Sequence, residues 1–430
     1  MNVIPRDQHC ISRKNISDSA LKVMSRLRSA GHQSYLVGGA VRDLLLGGHP
    51  KDFDIATDAT PEEVHQLFRN SRIIGRRFRI VHVRFGREII EVTTFRGHHE
   101  NGEDSARANS GNHSRQSASG LLLRDNVYGT LEEDAVRRDL TVNALYYDSG
   151  TFEVYDHVHG LEDLENRQIC IIGEPDVRFR EDPVRMLRVV RFAAKLDFGI
   201  DDATAQAIPE CAHLLREIPS ARLFDEFLKL FLSGYAAATL EQLLRHDLLK
   251  YLFPETSALL LEDEHYLALM RAAMANTDQR IAEDKPVTPA FLLAALLWPV
   301  ASRLAAQLEA QGTPPIPAMH DAAQQTIAEA VQFISIPRRF SQPMREIWEF
   351  QLRLKKRQGK KAADLVEQRR FRAAYDFLLL REQAGEETDG LGEFWTQFQH
   401  LAPSDRQQQT ESDGPRRRRR PRRRRNNKST

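Results

Sequence analysis

The stretch Lys51-Asp52-Phe53-Asp54-Ile55 constrains this chain more than any other, because its period-two alternation marks a short strand. Asp52 and Asp54 then leave one face while Phe53 and Ile55 point into a core. Two carboxylates brought to one place repel and raise one pKa. A hard divalent cation such as Mg2+, which takes oxygen ligands, removes that conflict. An isolated Asp-x-Asp is more often a solvated strand edge, here beside Lys51, so the neighbouring sequence has to decide. Tyr35-Leu36-Val37 reads as a strand, Gly38-Gly39 as a turn, and Val41 to Leu46 as a helix closed by Gly47-Gly48. Such a turn lets the backbone approach a phosphate and aims N–H groups at it; Arg42, one turn into the helix, is placed to add a charge-assisted contact. Together, a phosphate cradle and metal carboxylates describe a nucleotidyl-transfer site.

The rest of the chain has to be more than one domain, since it holds 430 residues. Residues 15–31 have helical spacing behind Ser17 or Asp18 as a cap, and Thr60-Pro61-Glu62-Glu63 opens another helix. Strands are expected at Arg79–Phe85 and Glu88–Phe95, followed by a long polar loop over 97–120. Thr130-Leu131-Glu132-Glu133 has capping-box spacing, and strand signals recur at Phe152–Tyr155 and Ile169–Ile172. Beyond Asp182 only helical periodicity is visible, to about Gln399. The expected fold is therefore an α/β (α+β) first part followed by an all-α remainder. The longest apolar run, Ala290–Val300, is about half of the ~20 residues that a membrane-crossing helix needs, so no transmembrane span is expected. The first residues turn charged too early for a secretory signal, which points to the cytoplasm. Cys10, Cys170 and Cys211 have neither metal-ligand spacing nor an even count, and read as reduced thiols.

Charge is distributed unevenly. A net +1 conceals a terminal run of Arg416, Arg417, Arg418, Arg419, Arg420, Arg422, Arg423, Arg424 and Arg425, with Lys428 and no acid. Everything before it carries 51 basic against 60 acidic residues. A cationic appendage on an acidic body points to a polyanionic partner. Lacking interleaved aromatics, the run should bind phosphates without reading bases, so RNA is the expected partner; an anionic membrane surface is the alternative.

Four ordered motifs then carry a resemblance. Leu36-Val37-Gly38-Gly39-Ala40-Val41-Arg42-Asp43, Lys51-Asp52-Phe53-Asp54, Arg137-Arg138-Asp139-Leu140-Thr141-Val142-Asn143-Ala144 and Glu181-Asp182-Pro183-Val184-Arg185-Met186-Leu187-Arg188 resemble the class II nucleotidyltransferases, which comprise CCA-adding enzymes and bacterial poly(A) polymerases. The resemblance implies a polymerase-β-like head at 1–160 containing the loop 97–120, an RNA-binding helical neck at 161–240, a helical body at 241–400 and an arginine-rich, disordered tail at 401–430. It makes Asp52 and Asp54 ligands of Mg2+, with Asp139 favoured as third acidic residue and Glu91 its rival. ATP would be the substrate, held by Gly38, Gly39, Arg42, Arg137 and Arg138, with Glu181, Asp182, Arg185 and Arg188 around the base.

If Glu181 opens a helix, Asp182 and Arg185 lie side by side on it. Such a pair matches the donor–acceptor order of adenine and equally that of cytosine, so it rejects G and U without separating ATP from CTP. Ile74-Gly75-Arg76-Arg77-Phe78-Arg79-Ile80-Val81-His82-Val83 resembles a pattern of bacterial poly(A) polymerases, as does Phe371–Arg381. The expectation is a template-independent poly(A) polymerase whose products mark bacterial RNA for decay, with RNA-decay or RNA-chaperone proteins as further partners. A CCA-adding enzyme and a catalytically inactive RNA-binding adaptor are the alternatives.

Overall fold

Local capping signals fix several helices. A computed structural model describes residues 1–75, 79–97, 115–116, 122–124, 127–358, 360–402 and 406. Helix α1 (Asp18–Ser29) starts where the Ser17 hydroxyl accepts from the Ala20 N–H at 3.1 Å. After α2 (Gly39–Leu45), helices α3 (Pro61–Leu67) and α4 (Leu131–Arg137) each begin with a complete capping box, Thr60 with Glu63 and Thr130 with Glu133. Each such cap is worth about 1 kcal/mol.

Among the described residues ten strands precede residue 160: β1 (Asn2–Ile4), β2 (Ser34–Val37), β3 (Asp54–Thr57), β4 (Ser71–Ile74), β5 (Ile80–Phe85), β6 (Glu88–Thr94), β7 (Arg115–Gln116), β8 (Leu122–Arg124), β9 (Leu145–Tyr147) and β10 (Val154–Asp156). Eight form one sheet in the order β1-β10-β9-β2-β3-β6-β5-β4, and β7 pairs with β8 separately. Only β3 and β6 run parallel within the sheet. Alternation along β5 and β6 buries Val81, Val83, Ile90 and Val92, and α1 covers the sheet with Val23, Met24 and Leu27, all fully buried. Strands β1, β4, β7, β8 and β9 were not expected from sequence, and β7 falls within the loop expected over 97–120. The strand expected at 51–55 begins only at Asp54, so Asp52 precedes it. Most of the expected loop 97–120, with His98, His99 and His113, lies outside the described residues, as do Arg76, Arg77, Phe78 and the arginines from 416 onward.

Helices α5 (Gly160–Glu165), α6 (Pro175–Glu181) and α7 (Val184–Leu196) follow. Gln168–Ile169, overlapping the strand expected at Ile169–Ile172, pairs in parallel with Gly199–Ile200, and this second two-residue strand interrupts the region expected to be purely helical. By contact, residues 1–230 and 237–252 form one unit, and residues 231–236 and 253–430 another. Most of the segment expected as a neck thus shares a unit with the sheet. In the second unit the apolar run becomes a 22-residue helix, Pro289–Ala310, long and apolar enough to cross a membrane. Its apolar residues are instead the core of that unit: Ala290 and residues 292–299 are buried, and the Trp348 indole donates to the Ala294 carbonyl at 2.9 Å. Trp298, Trp348 and Trp395 are all buried, as core residues should be.

Candidate active site

The diglycine bend and the acids converge. Gly38 sits at φ 74°, a left-handed conformation that favours glycine, and a Cβ there would lie 4.0 Å from Asp54 Oδ2 and 3.9 Å from Arg138 Nη1. Strand pairing sets the rest: Val37 faces Asp54 across β2 and β3, and Asp54 faces Glu91 across β3 and β6. A pocket of about 190 Å³ opens there, lined by Asp54, Glu91, Thr93, Arg96, Arg137 and Arg138 together with Val37 and Asp134.

Its electrostatics are in conflict. Burial, reinforced by Glu91 and Asp52 and opposed by Arg138, pushes the Asp54 carboxyl up to about 6. Asp52 is exposed and ahead of the strand, contributing its charge from the rim. The His82 ring nitrogen Nε2 lies 3.1 Å from Glu91 Oε1 across the β5–β6 pair. Among the described residues no cluster of three or more His, Cys, Asp or Glu forms a ready-made metal cage.

Several residues expected at the site do other work. Asp139, favoured as third acid, does not line this pocket; it forms an ion contact at 2.5 Å with Arg188 Nε, off the hydrogen-bond axis. Burial acts to raise its carboxyl, but the Arg188 charge, the Leu140 N–H and the Arg185 charge together hold it below its usual value. Glu91 takes the place beside Asp54 because sheet register puts it there. Arg42 is 1% exposed. Its Nε and Nη2 bond Asp43 Oδ1 at 2.8 and 2.6 Å, Nη1 bonds Asn143 Oδ1 at 2.5 Å, and the group lies over Phe192, so it braces α2 and is not offered to a phosphate.

The Asp182–Arg185 pairing also fails in its expected form. Pro183 cannot continue α6, so Asp182 is extended between two helices and not on one. Its Oδ2 accepts from Arg222 Nη2 at 2.6 Å. Arg185 Nη1 instead donates to Glu181 Oε2 at 2.8 Å and to the Arg178 carbonyl at 2.7 Å. Arg178 was not singled out from sequence, yet it ties this region to the pocket: its Nη2 donates to the carbonyls of Arg137 and Arg138 at 2.8 and 2.7 Å, and its Nη1 to Glu181 at 2.6 Å. Burial and the Arg185 charge bring its guanidinium down to about 10. Thr93, Arg96 and Asp134 also went unread; only Asp134 had a local signal, four residues before Arg138 on α4.

A mixed sheet that sets carboxylates beside a diglycine bend, with arginines lining the same pocket, is the framework of a nucleotidyltransferase. Poly(A) polymerase I of Salmonella typhimurium is 48% identical over 411 residues, covering 94% of this chain and 87% of that protein. A CCA-adding enzyme of Lactobacillus helveticus is 40% identical, but over 49% of each chain. Family profiles match residues 34–170 ("Poly A polymerase head domain"), 197–260 ("Probable RNA and SrmB- binding site of polymerase A") and 311–429 ("Polymerase A arginine-rich C-terminus"). The crystal structure of the Bacillus stearothermophilus CCA-adding enzyme in complex with CTP superposes with a TM-score of 0.51 at 25% identity, covering 91% of this chain and 80% of that one. The chain belongs to the poly(A) polymerase family.

Proposed function

We propose that this pocket transfers AMP from ATP to the 3′-hydroxyl of RNA, without a template and with release of pyrophosphate. The observation that supports it best is the Asp54 carboxyl, raised to about 6 between Glu91 and Arg138 and facing the Gly38 bend. The RNA 3′-oxygen bonds the α-phosphorus, the bond from that phosphorus to the bridging oxygen breaks, and the hydroxyl proton is lost as pyrophosphate departs with the bonding pair. Asp54 and Asp52, with Glu91 as third carboxylate, offer an all-oxygen donor set whose mutual repulsion a divalent cation relieves. Mg2+ is typically held by one or two carboxylates, substrate phosphates and water, so the absence of a complete protein cage among the described residues fits it. When bound, it would acidify the attacking hydroxyl and steady the charge developing at phosphorus. Arg137 and Arg138 grip the triphosphate or ribose, and the Gly38-Gly39 bend admits the phosphates. Asp182, anchored by Arg222, and Arg185, anchored by Glu181, contact the base from separate elements and not as a pair on one helix. Arg188 pairs with Asp139 beside them. The cationic run at Arg416–Arg425 keeps RNA near the pocket, and the enzyme acts in the bacterial cytoplasm, where its tails mark RNA for decay.

The test supplies purified protein with Mg2+, one NTP at a time, and either a generic oligoribonucleotide or a tRNA lacking its terminal triplet. Long products with ATP alone are expected. Growth limited to three nucleotides with CTP required would assign CCA addition instead, and RNA retention without extension would assign an inactive adaptor. Removing the chain after Gly414 should weaken RNA binding and flatten its salt dependence by roughly 0.7 in logarithmic slope for each phosphate that the run would have neutralised.

A further inference from the structure

We propose that Asp134 and Tyr146 are positioning residues that aim the Arg138 guanidinium at the bound nucleotide, an inference that rests on reading the pocket as the nucleotide site. Asp134 lies on α4 and is 5% exposed, while Tyr146 occupies the middle of β9 and is fully buried. A carboxylate so placed is costly unless its oxygens are satisfied, and here they are. Asp134 Oδ2 accepts from the Tyr146 hydroxyl at 2.6 Å and from Arg138 Nη2 and Nε at 3.0 and 3.2 Å; Oδ1 accepts from the Arg96 N–H at 3.1 Å. The Tyr146 oxygen in turn accepts from Arg138 Nε at 2.8 Å, and the guanidinium carbon lies 5.2 Å from the centre of the Tyr146 ring. Burial raises the Tyr146 hydroxyl pKa, so it stays protonated and keeps donating to Asp134.

One carboxylate and one phenol thus use Nε and Nη2, and Nη1 is the nitrogen that approaches the Gly38 bend. The guanidinium has few orientations left, because its two fixed nitrogens are tied to Asp134 on α4 and Tyr146 on β9, and Asp134 is itself held by the Arg96 N–H just beyond β6. Arg42 shows the contrasting outcome on the other side of the bend, where all three nitrogens are taken and the group is closed off. Packing alone would not need a charged centre with one open side. A group fixed in advance loses less freedom when the nucleotide arrives, so the network should act on ATP affinity more than on the chemical step.

A double-mutant cycle on steady-state pyrophosphate release tests this. Tyr146→Phe keeps the ring and its stacking but deletes the hydroxyl. It should raise KM for ATP about three- to tenfold with kcat within about twofold. In an Arg138→Ala background the same substitution should change nothing further. Asp134→Asn, carried through the same cycle, should behave alike and serves if Tyr146→Phe fails to fold. An unchanged KM in Tyr146→Phe, or an equal rise with and without Arg138, overturns the positioning role while leaving the pocket assignment standing. An unchanged KM in Arg138→Ala alone would instead remove Arg138 from the nucleotide site, and the proposal with it.

Discussion

Two charged networks in this molecule use the same side-chain types to opposite ends. In the helical unit, buried Arg381 donates from Nε to Glu386 Oε2 and from Nη1 to Gln351 Oε1, both at 2.8 Å, and lies over Trp298 at 4.7 Å. Gln351 completes the network by donating to the carbonyls of Ile347 and Ala374 at 3.1 and 3.0 Å. Each charge there meets its complement. In the sheet unit, Asp54 faces Glu91 with Asp52 nearby, so like charges adjoin and one carboxyl is driven up to about 6. In the helical unit the satisfied charges hold the fold, whereas the carboxylate repulsion in the sheet unit is the kind of perturbation found at functional sites.

That contrast can be broken most directly at Asp54. Asp54→Ala should reduce adenylate incorporation by on the order of a thousandfold, measured by primer extension, while filter retention of RNA stays nearly unchanged. Arg381→Met should do the reverse. Truncating one member of a buried ionic network costs about 3–5 kcal/mol in denaturant titration, and extension per folded molecule should survive. Equal losses of activity in both variants would erase the distinction.

A subtler measurement sharpens it. The folded Asp54 carboxyl, at about 6, lies above its ordinary 3.8, so the native state favours the protonated form. Stability is therefore lost as pH rises from about 4 to 6, and the full cost is present above that. Without divalent metal, Asp54→Asn should stabilise the protein by about 1–2 kcal/mol at pH 7.5 after allowance for solvent screening, and by almost nothing at pH 4. A stabilisation independent of pH would show that repulsion is not its source. Smallest is the cap of α4: Thr130→Ala should cost about 1 kcal/mol and raise KM for ATP only slightly, since Asp134 and Arg138 are also held from β9.

Sequence carried the site's chemistry further than its geometry. Alternation at Phe53 and Ile55, the capping boxes at Thr60 and Thr130, and the diglycine bend are local codes, so each could be read within a few residues. Strands β4 and β9 pair with the nearby β5 and β10, but at four and three residues they are too short to show a periodicity. Strand β1 has three residues and pairs with β10, Asn2 opposite Asp156, a partner no local window contains. For the same reason Glu91 could only rival Asp139: the register that places it opposite Asp54 joins residues 37 positions apart. Tyr146 was not singled out in the sequence; its hydroxyl gains a role only where the fold brings it to Asp134. The Asp182–Arg185 pairing failed against a signal that was present, since Pro183 already argued for a break at the preceding residue.

The order of the sheet has one more consequence. Strands β2, β3 and β6, which carry the bend, Asp54 and Glu91, are flanked by β9, β10 and β1 on one side and by β5 and β4 on the other. Transient opening starts at rims, so amide protons of Ile55 and Val92 should be among the last to exchange with deuterated solvent. Warming would then fray the outer strands first, and the enzyme would go on polymerising until the domain melts as a whole.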